Sequence, residues 1–244
     1  MHGSGKCNEL MVWALPLALL VVLTALFRVT GLDVLILEFF YDPDTGAWIY
    51  KRNPALNVYN DAAQWPALVL GIGGLLVAAA GFWVVRLRRW RRSGCYLFLA
   101  LVLFPGLVVN TVLKDRTGRP RPEDTRPFGG ERELLKVLEF DFEGGREAGR
   151  SFPSGHAASG FFILTPYFIL REWRRYRLAR LFLAVGLVHG LLTGLCRVAR
   201  GEHFPSDVLW SWAVVYFGGY LLAKLFRFGS RRDVEDEAGA AAAS

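Results

Sequence analysis

Residues 65–92 read WPALVLGIGGLLVAAAGFWVVRLRRWRR, an apolar run closed by five arginines in its last seven residues. About 20 apolar residues wound as a helix match the roughly 30 Å hydrocarbon core of a bilayer. The arginines then stand where the chain leaves the lipid, and the glycines and alanines allow close helix approach inside it. The same pattern recurs at residues 11–28, 95–113, 154–170, 181–198 and 206–226. With 53% hydrophobic residues in a chain of 244, this predicts an all-α fold, a six-transmembrane helical bundle. Residues 1–228 are expected to form one transmembrane domain. Residues 229–244, charged and then alanine-rich, are expected to be a disordered tail.

The net charge of +7 does not point to nucleic acid, because the densest basic runs lie between apolar spans, where they orient a membrane protein. The arginine-rich loops at 86–92 and 171–180 fall on one side together with both termini. The positive-inside rule makes that side cytoplasmic, in an inner (cytoplasmic) membrane whose outer side faces the periplasm or the cell exterior. The first run is long and lacks a small-residue cleavage site before Arg28, so it is read as a retained anchor rather than a signal peptide. Cys7, Cys95 and Cys196 are odd in number, widely separated and without metal spacing, so neither a disulfide framework nor a metal site is expected.

Between the first two spans, residues 33–40 suit a short interfacial helix and residues 42–46 a turn, with Tyr41, Trp48, Tyr50 and Tyr59 at headgroup level. Residues 114–150 form the long polar loop on the outward face, with nine basic and nine acidic residues. Within it, the spacing of residues 131–138 predicts a short helix across the membrane surface.

Three polar groups fall on that same outer side. In Pro153-Ser154-Gly155-His156 the proline suits a first helical turn, and the following amides are free donors for an anion at a helix N-terminus. Gly155 lets a ligand approach the backbone. Lys114 and Arg121-Pro122 lie at the membrane edge, where lysine offers a point charge and arginine a fork to phosphate oxygens. Arg116 and Arg119 in that segment are read as headgroup contacts. In Arg197-x5-His203-x3-Asp207, Pro205 keeps His203 in a loop and places Asp207 in the first helical turn beyond. A carboxylate there reaches the ring N–H of His203 and leaves the other nitrogen nucleophilic. Each group alone has a plainer reading: a helix start, a basic headgroup-contacting stretch, a capped polar loop. Their joint placement on one face favours a phosphate site.

These three stretches, in order and spacing, resemble the signature motifs of the type 2 phosphatidic acid phosphatase superfamily. The resemblance implies a metal-independent, cofactor-free hydrolase of phosphomonoesters or diphosphates. It implies that His203 attacks phosphorus with Asp207 orienting it, and that His156 protonates the leaving oxygen. Lys114, Arg121, Arg197 and the Ser154/Gly155 turn would hold the phosphoryl oxygens. One position departs: the family usually has Ser before the third-motif Arg, where this chain has Cys196, a poorer donor. A site at the outer membrane edge favours a lipid substrate such as a phospholipid (phosphatidylglycerol phosphate or phosphatidic acid), an isoprenyl diphosphate (undecaprenyl diphosphate) or lipid A. Residues 121–130, with Phe128-Gly129-Gly130, are similar to the bacterial lipid A phosphatase branch. The soluble vanadium haloperoxidase relatives share such an anion pocket, but the membrane spans speak against them.

Two other classes were weighed. A transporter places polar groups near the bilayer midplane, but here that inventory is thin, with His189, Thr193 and Thr165 its main members, and His189 reads as a packed or helix-bonded residue. A lipid phosphotransferase would use the same phosphohistidine and differs only in the acceptor.

Overall fold

The computed structural model describes residues 3–228. The expected tail at 229–244 lies outside the described residues. The protein is mostly helical, and among the described residues five stretches are long and apolar enough to cross a membrane: Leu10–Thr30, Pro54–Ala80, Val85–Arg116, Tyr176–Ala199 and Pro205–Phe226.

Helix α1 (Gly3–Thr30) leads through Gly31, at φ 68°, into the short α2 (Leu32–Glu38). The interfacial segment expected at 33–40 is thus helical through Glu38. Strands β1 (Tyr41–Asp42) and β2 (Ala47–Trp48) pair antiparallel around the turn read from residues 42–46. Asn53 caps α3 (Pro54–Ala62), its Oδ1 accepting the Leu56 N–H at 3.1 Å, with Pro54 at the first helical position. Helix α4 (Trp65–Ala80) packs along α5 (Arg91–Leu101). A 3₁₀ turn over Val85–Trp90 joins them, so the first arginine cluster is helical rather than an open loop.

The third span does not stay α-helical. Val102–Leu113 is wound as a π-helix around Pro105, whose missing N–H removes an ordinary rung. The Asn110 side chain folds back to the same turn, its Nδ2 donating to the Pro105 carbonyl at 2.8 Å. One turn, α6 (Lys114–Arg116), then ends the span.

The fourth expected span, residues 154–170, is laid down as two short helices, α8 (Gly155–Phe162) and α9 (Pro166–Glu172). Pro166 cannot donate to the preceding turn, and the Thr165 hydroxyl satisfies the Phe162 carbonyl at 2.9 Å. Helix α8 is buried between α10 (Tyr176–Ala199) and α11 (Pro205–Phe226). Gly186, Gly190 and Gly194 recur every four residues along α10, so they share one face. Side chains there would strike the Leu164 backbone, the Phe161 ring and Val208. That bare stripe lets α8 and α11 close onto α10. Among the five candidate spans α11 is the most enclosed and α1 the least, so the bundle is built around α11.

The helix expected at 131–138 does not form. The backbone of Arg132 instead pairs in extended form, donating to Asp124 and accepting from Arg126, both at 2.9 Å. The Leu135 carbonyl takes a bond from Arg119 Nε at 3.1 Å, and Leu138 has φ 62°. The helix-like spacing is that of Leu134, Leu135, Val137 and Leu138, yet of these only Val137 is buried, in an irregular loop. The helical parts of residues 117–150 are two 3₁₀ turns, at Pro122–Asp124 and Arg126–Phe128, and α7 (Gly145–Ala148).

Candidate active site

Ser154 caps α8: its Oγ accepts the Ala157 N–H at 3.4 Å, and its carbonyl takes the first helical bond from Ala158. The amides of Gly155 and His156 precede that first bond, as a donor site for an anion requires. Pro153 stands just before the cap rather than in the first turn, joined to Phe152 by a cis peptide bond. Gly155 is bare because Asn110 occupies the space: a Cβ there would come within 2.2 Å of Asn110 Oδ1. The Ser211 hydroxyl on α11 lies 2.9 Å from the Ser154 carbonyl and 2.7 Å from that of Asp207. The π-wound span, the cap of α8 and the first turns of α11 thereby form one unit.

At the other end of α10 the chain turns at Gly201. Its φ is 74°, and a side chain there would collide with the Trp48 indole. Glycine is required on both counts. Phe204 is the cap residue of α11 and Pro205 its first helical residue. Asp207 Oδ2 accepts the Phe204 N–H at 2.9 Å and lies 3.6 Å from His203 Nδ1. His203 is fully buried, and neither ring nitrogen is hydrogen-bonded to any described residue. Burial pushes its imidazole down to about 4, and the cations Lys114 and Arg197 act in the same direction against the pull of Asp207. The ring is therefore neutral at ordinary pH.

Lys114 and Arg197 are also the cations whose fields reach His156, with Glu202 and Asp61 as countercharges. The three sequence groups thus share one electrostatic neighbourhood. Arg197 is held in place: its Nη1 donates to Asn60 Oδ1 at 2.7 Å, and it is ion-paired to Glu202. Burial alone would raise the Glu202 carboxyl, but Arg197 and Arg200 outweigh it and hold Glu202 below the usual carboxylate range. Arg121 is more open, 3.8 Å from Glu123 Oε1. Cys196 Sγ points away from Arg197, to the Leu56 carbonyl at 3.5 Å, and lines an apolar groove with Leu56, Tyr59 and Ala199. His189 is a packed residue, as read: its Nε2 bonds the Ala63 carbonyl at 2.9 Å. Among the described residues no cluster of three or more His, Cys, Asp or Glu side chains is placed to hold a metal ion.

The residue that sequence reading missed is Arg119. Far from contacting headgroups, it is fully buried, its guanidinium 4.1 Å from the centre of the Phe204 ring. Its Nη1 donates to Asp207 Oδ1 at 2.5 Å and its Nη2 to Asp33 Oδ2 at 2.9 Å. Ser151, also missed, donates to Asp207 Oδ2 at 2.5 Å. The available signals were indirect: Arg119 precedes a proline that holds it extended, and Asp33 is one acid in an apolar stretch.

The sequence itself matches a known family. Residues 93–231 match the PAP2 superfamily, and the chain belongs to it; it is a membrane phosphatase of that family. Among curated relatives, it is 27% identical to the lipid A 4'-phosphatase of Francisella tularensis subsp. novicida over 80% of this chain and 86% of that one. It is 35% identical to the lipid A 1-phosphatase of Rhizobium etli over 52% of this chain and 46% of the relative. It is 36% identical to the lipid A 4'-phosphatase of Rhizobium leguminosarum over half of each chain. No solved structure matches.

Proposed function

We propose that the protein is a lipid phosphatase of the outer face of the inner membrane, with lipid A its substrate, acting through a phosphohistidine on His203. The observation that carries this reading is the buried, neutral His203, with no hydrogen bond from either ring nitrogen to a described residue, beside the Asp207 carboxylate and under the fields of Lys114 and Arg197. Lys114, Arg121, Arg197 and the Ser154/Gly155 amides hold the phosphoryl oxygens and spread the charge that builds on them. His203 Nε2 forms the new N–P bond as the P–O bond to the lipid breaks, and His156 gives its proton to the departing oxygen. Asp207 stabilises the imidazolium-like adduct. Water, deprotonated by His156, then displaces the imidazole and releases inorganic phosphate. The family supports the reaction class, and the lipid A phosphatases among its relatives support the substrate.

The test is a panel of lipid A, phosphatidylglycerol phosphate, phosphatidic acid and undecaprenyl diphosphate on purified protein, with the phosphorus labelled. Release of free phosphate fastest from lipid A is the expected result. Label appearing in a second lipid would make the protein a phosphotransferase, and another preferred lipid would overturn the substrate.

The chemistry requires His203 neutral and His156 protonated, so kcat/KM follows a bell in pH. Because the folded environment depresses His203 to about 4, the acid limb lies well below the ordinary histidine range. Activity falls only as pH drops through that value and the nucleophile takes up a proton. Arg197 and Lys114 bear on His156 as well, so the charge of the bound phosphate must hold its proton, and the basic limb follows loss of that proton. A rate rising steadily from pH 3 to 10 would contradict the paired roles.

The single domain spans residues 1–228, and α8 with α9 supplies the sixth crossing, so that both ends of the chain are cytoplasmic. An export-dependent reporter fused near Glu131 is then active and one near Arg89 silent. The opposite pattern would put the site in the cytoplasm.

A further inference from the structure

A buried cluster of charged side chains lies beside His203. Asp33, on α2, lies outside all three motifs, yet it is bonded at both oxygens. Oδ1 accepts the Ser206 N–H at 2.9 Å, while Oδ2 accepts the Ser206 hydroxyl at 2.5 Å and Arg119 Nη2 at 2.9 Å. The Arg119 fork is therefore split, one prong on Asp33 and the other on Asp207 Oδ1. An arginine facing a lone carboxylate closes on both oxygens. Here Asp33 takes one prong, so Asp207 Oδ2 is left to the Ser151 hydroxyl and the Phe204 amide and stands 3.6 Å from His203 Nδ1. The charges argue the same way: one guanidinium shared between two carboxylates leaves net negative charge beside the imidazole. A lone Arg119–Asp207 pair would be neutral.

We infer that Asp33 is a positioning residue of the reaction: by holding one prong of Arg119, it keeps the guanidinium off Asp207 Oδ2, the oxygen that faces His203 and accepts from Ser151 and the Phe204 amide. This rests on the reading of His203 and Asp207 given above. The groups that act on Asp33 are Arg119, Ser206 and Asp207, and none of these is assigned to the phosphate, so its effect falls on the chemical step rather than on binding.

The test is steady-state phosphate release by the purified full-length chain in detergent micelles, on whichever of the four lipids the wild type turns over. Asp33→Asn keeps shape and acceptor but removes the charge; a fall in kcat of about 10- to 100-fold with KM within twofold is expected. Unchanged kcat, or kcat and KM worsening together with the melting temperature, would overturn the inference. Ser206→Ala, which loosens the bridge without changing any charge, is the second variant and decides the matter should Asp33→Asn not fold. A several-fold loss of kcat at constant KM is expected, and no loss would overturn the proposal. His203→Ala is run alongside: its retaining activity would sink the site reading itself. An inactive His203→Ala beside a fully active Asp33→Asn would sink only the role of Asp33.

Discussion

His203→Ala is expected to cut phosphate release by about 10³-fold or more while the protein still purifies and melts like the wild type, because removing a nucleophile removes the step that every turnover uses. The fold should tolerate the change for a structural reason. The ring makes no hydrogen bond to a described residue, so its loss orphans no buried partner there. Asp207 keeps Arg119, Ser151 and the Phe204 amide. The measurement is a phosphate assay paired with a thermal melt. A variant that melts normally and still releases phosphate at more than about a tenth of the wild-type rate would mean that another group attacks phosphorus.

Arg119→Ala is expected to do the reverse, striking stability first. It would leave Asp33 and Asp207 buried with no cation between them. Breaking a buried pair by deleting one partner typically costs about 3–5 kcal/mol, since the remaining charge is uncompensated. Here two carboxylates lose the same partner. Burial already raises the Asp33 carboxyl even with Arg119 in place. Without the guanidinium at least one carboxyl would have to take up a proton to remain buried. Arg119→Lys should recover part of the stability but little of the rate, since an ammonium is a point charge and cannot hold two carboxylates in a fixed fork. Melting curves and kcat for the two variants check both statements. An Arg119→Ala protein as stable as wild type would show that the cluster relaxes in a way its packing does not suggest.

The contrast between these residues explains what the sequence made legible. The spans could be read because lipid imposes length and apolarity on any helix that crosses it. His203 and Asp207 could be read because Pro205 fixes the local geometry between them. Arg119 could not, since its partners lie 86 and 88 positions away and no local pattern distinguishes an arginine turned inward from one turned toward headgroups. Residues 131–138 misled for a related reason. Leu134, Leu135, Val137 and Leu138 give a short segment helical spacing, whereas the Arg119 and Arg126 contacts decide its backbone. The broken fourth span had its sign in Pro166, yet composition alone does not tell a kinked helix from two separate ones.

The widened winding of Val102–Leu113 ties the chemistry to a count of residues. A π-helix advances through more residues per turn than the 3.6 of an α-helix, so it alters the angular phase of all that follows. Asn110 and Lys114 stand on or just past that segment, one seated against Gly155 and the other within the field of both histidines. Dropping a single position upstream of Lys114 would swing it about 100° around the helix axis, leaving every motif letter in place while aiming the cation elsewhere. For this chain, a spelling that matches the family is therefore not sufficient: the gearing of the third span must be inherited with it.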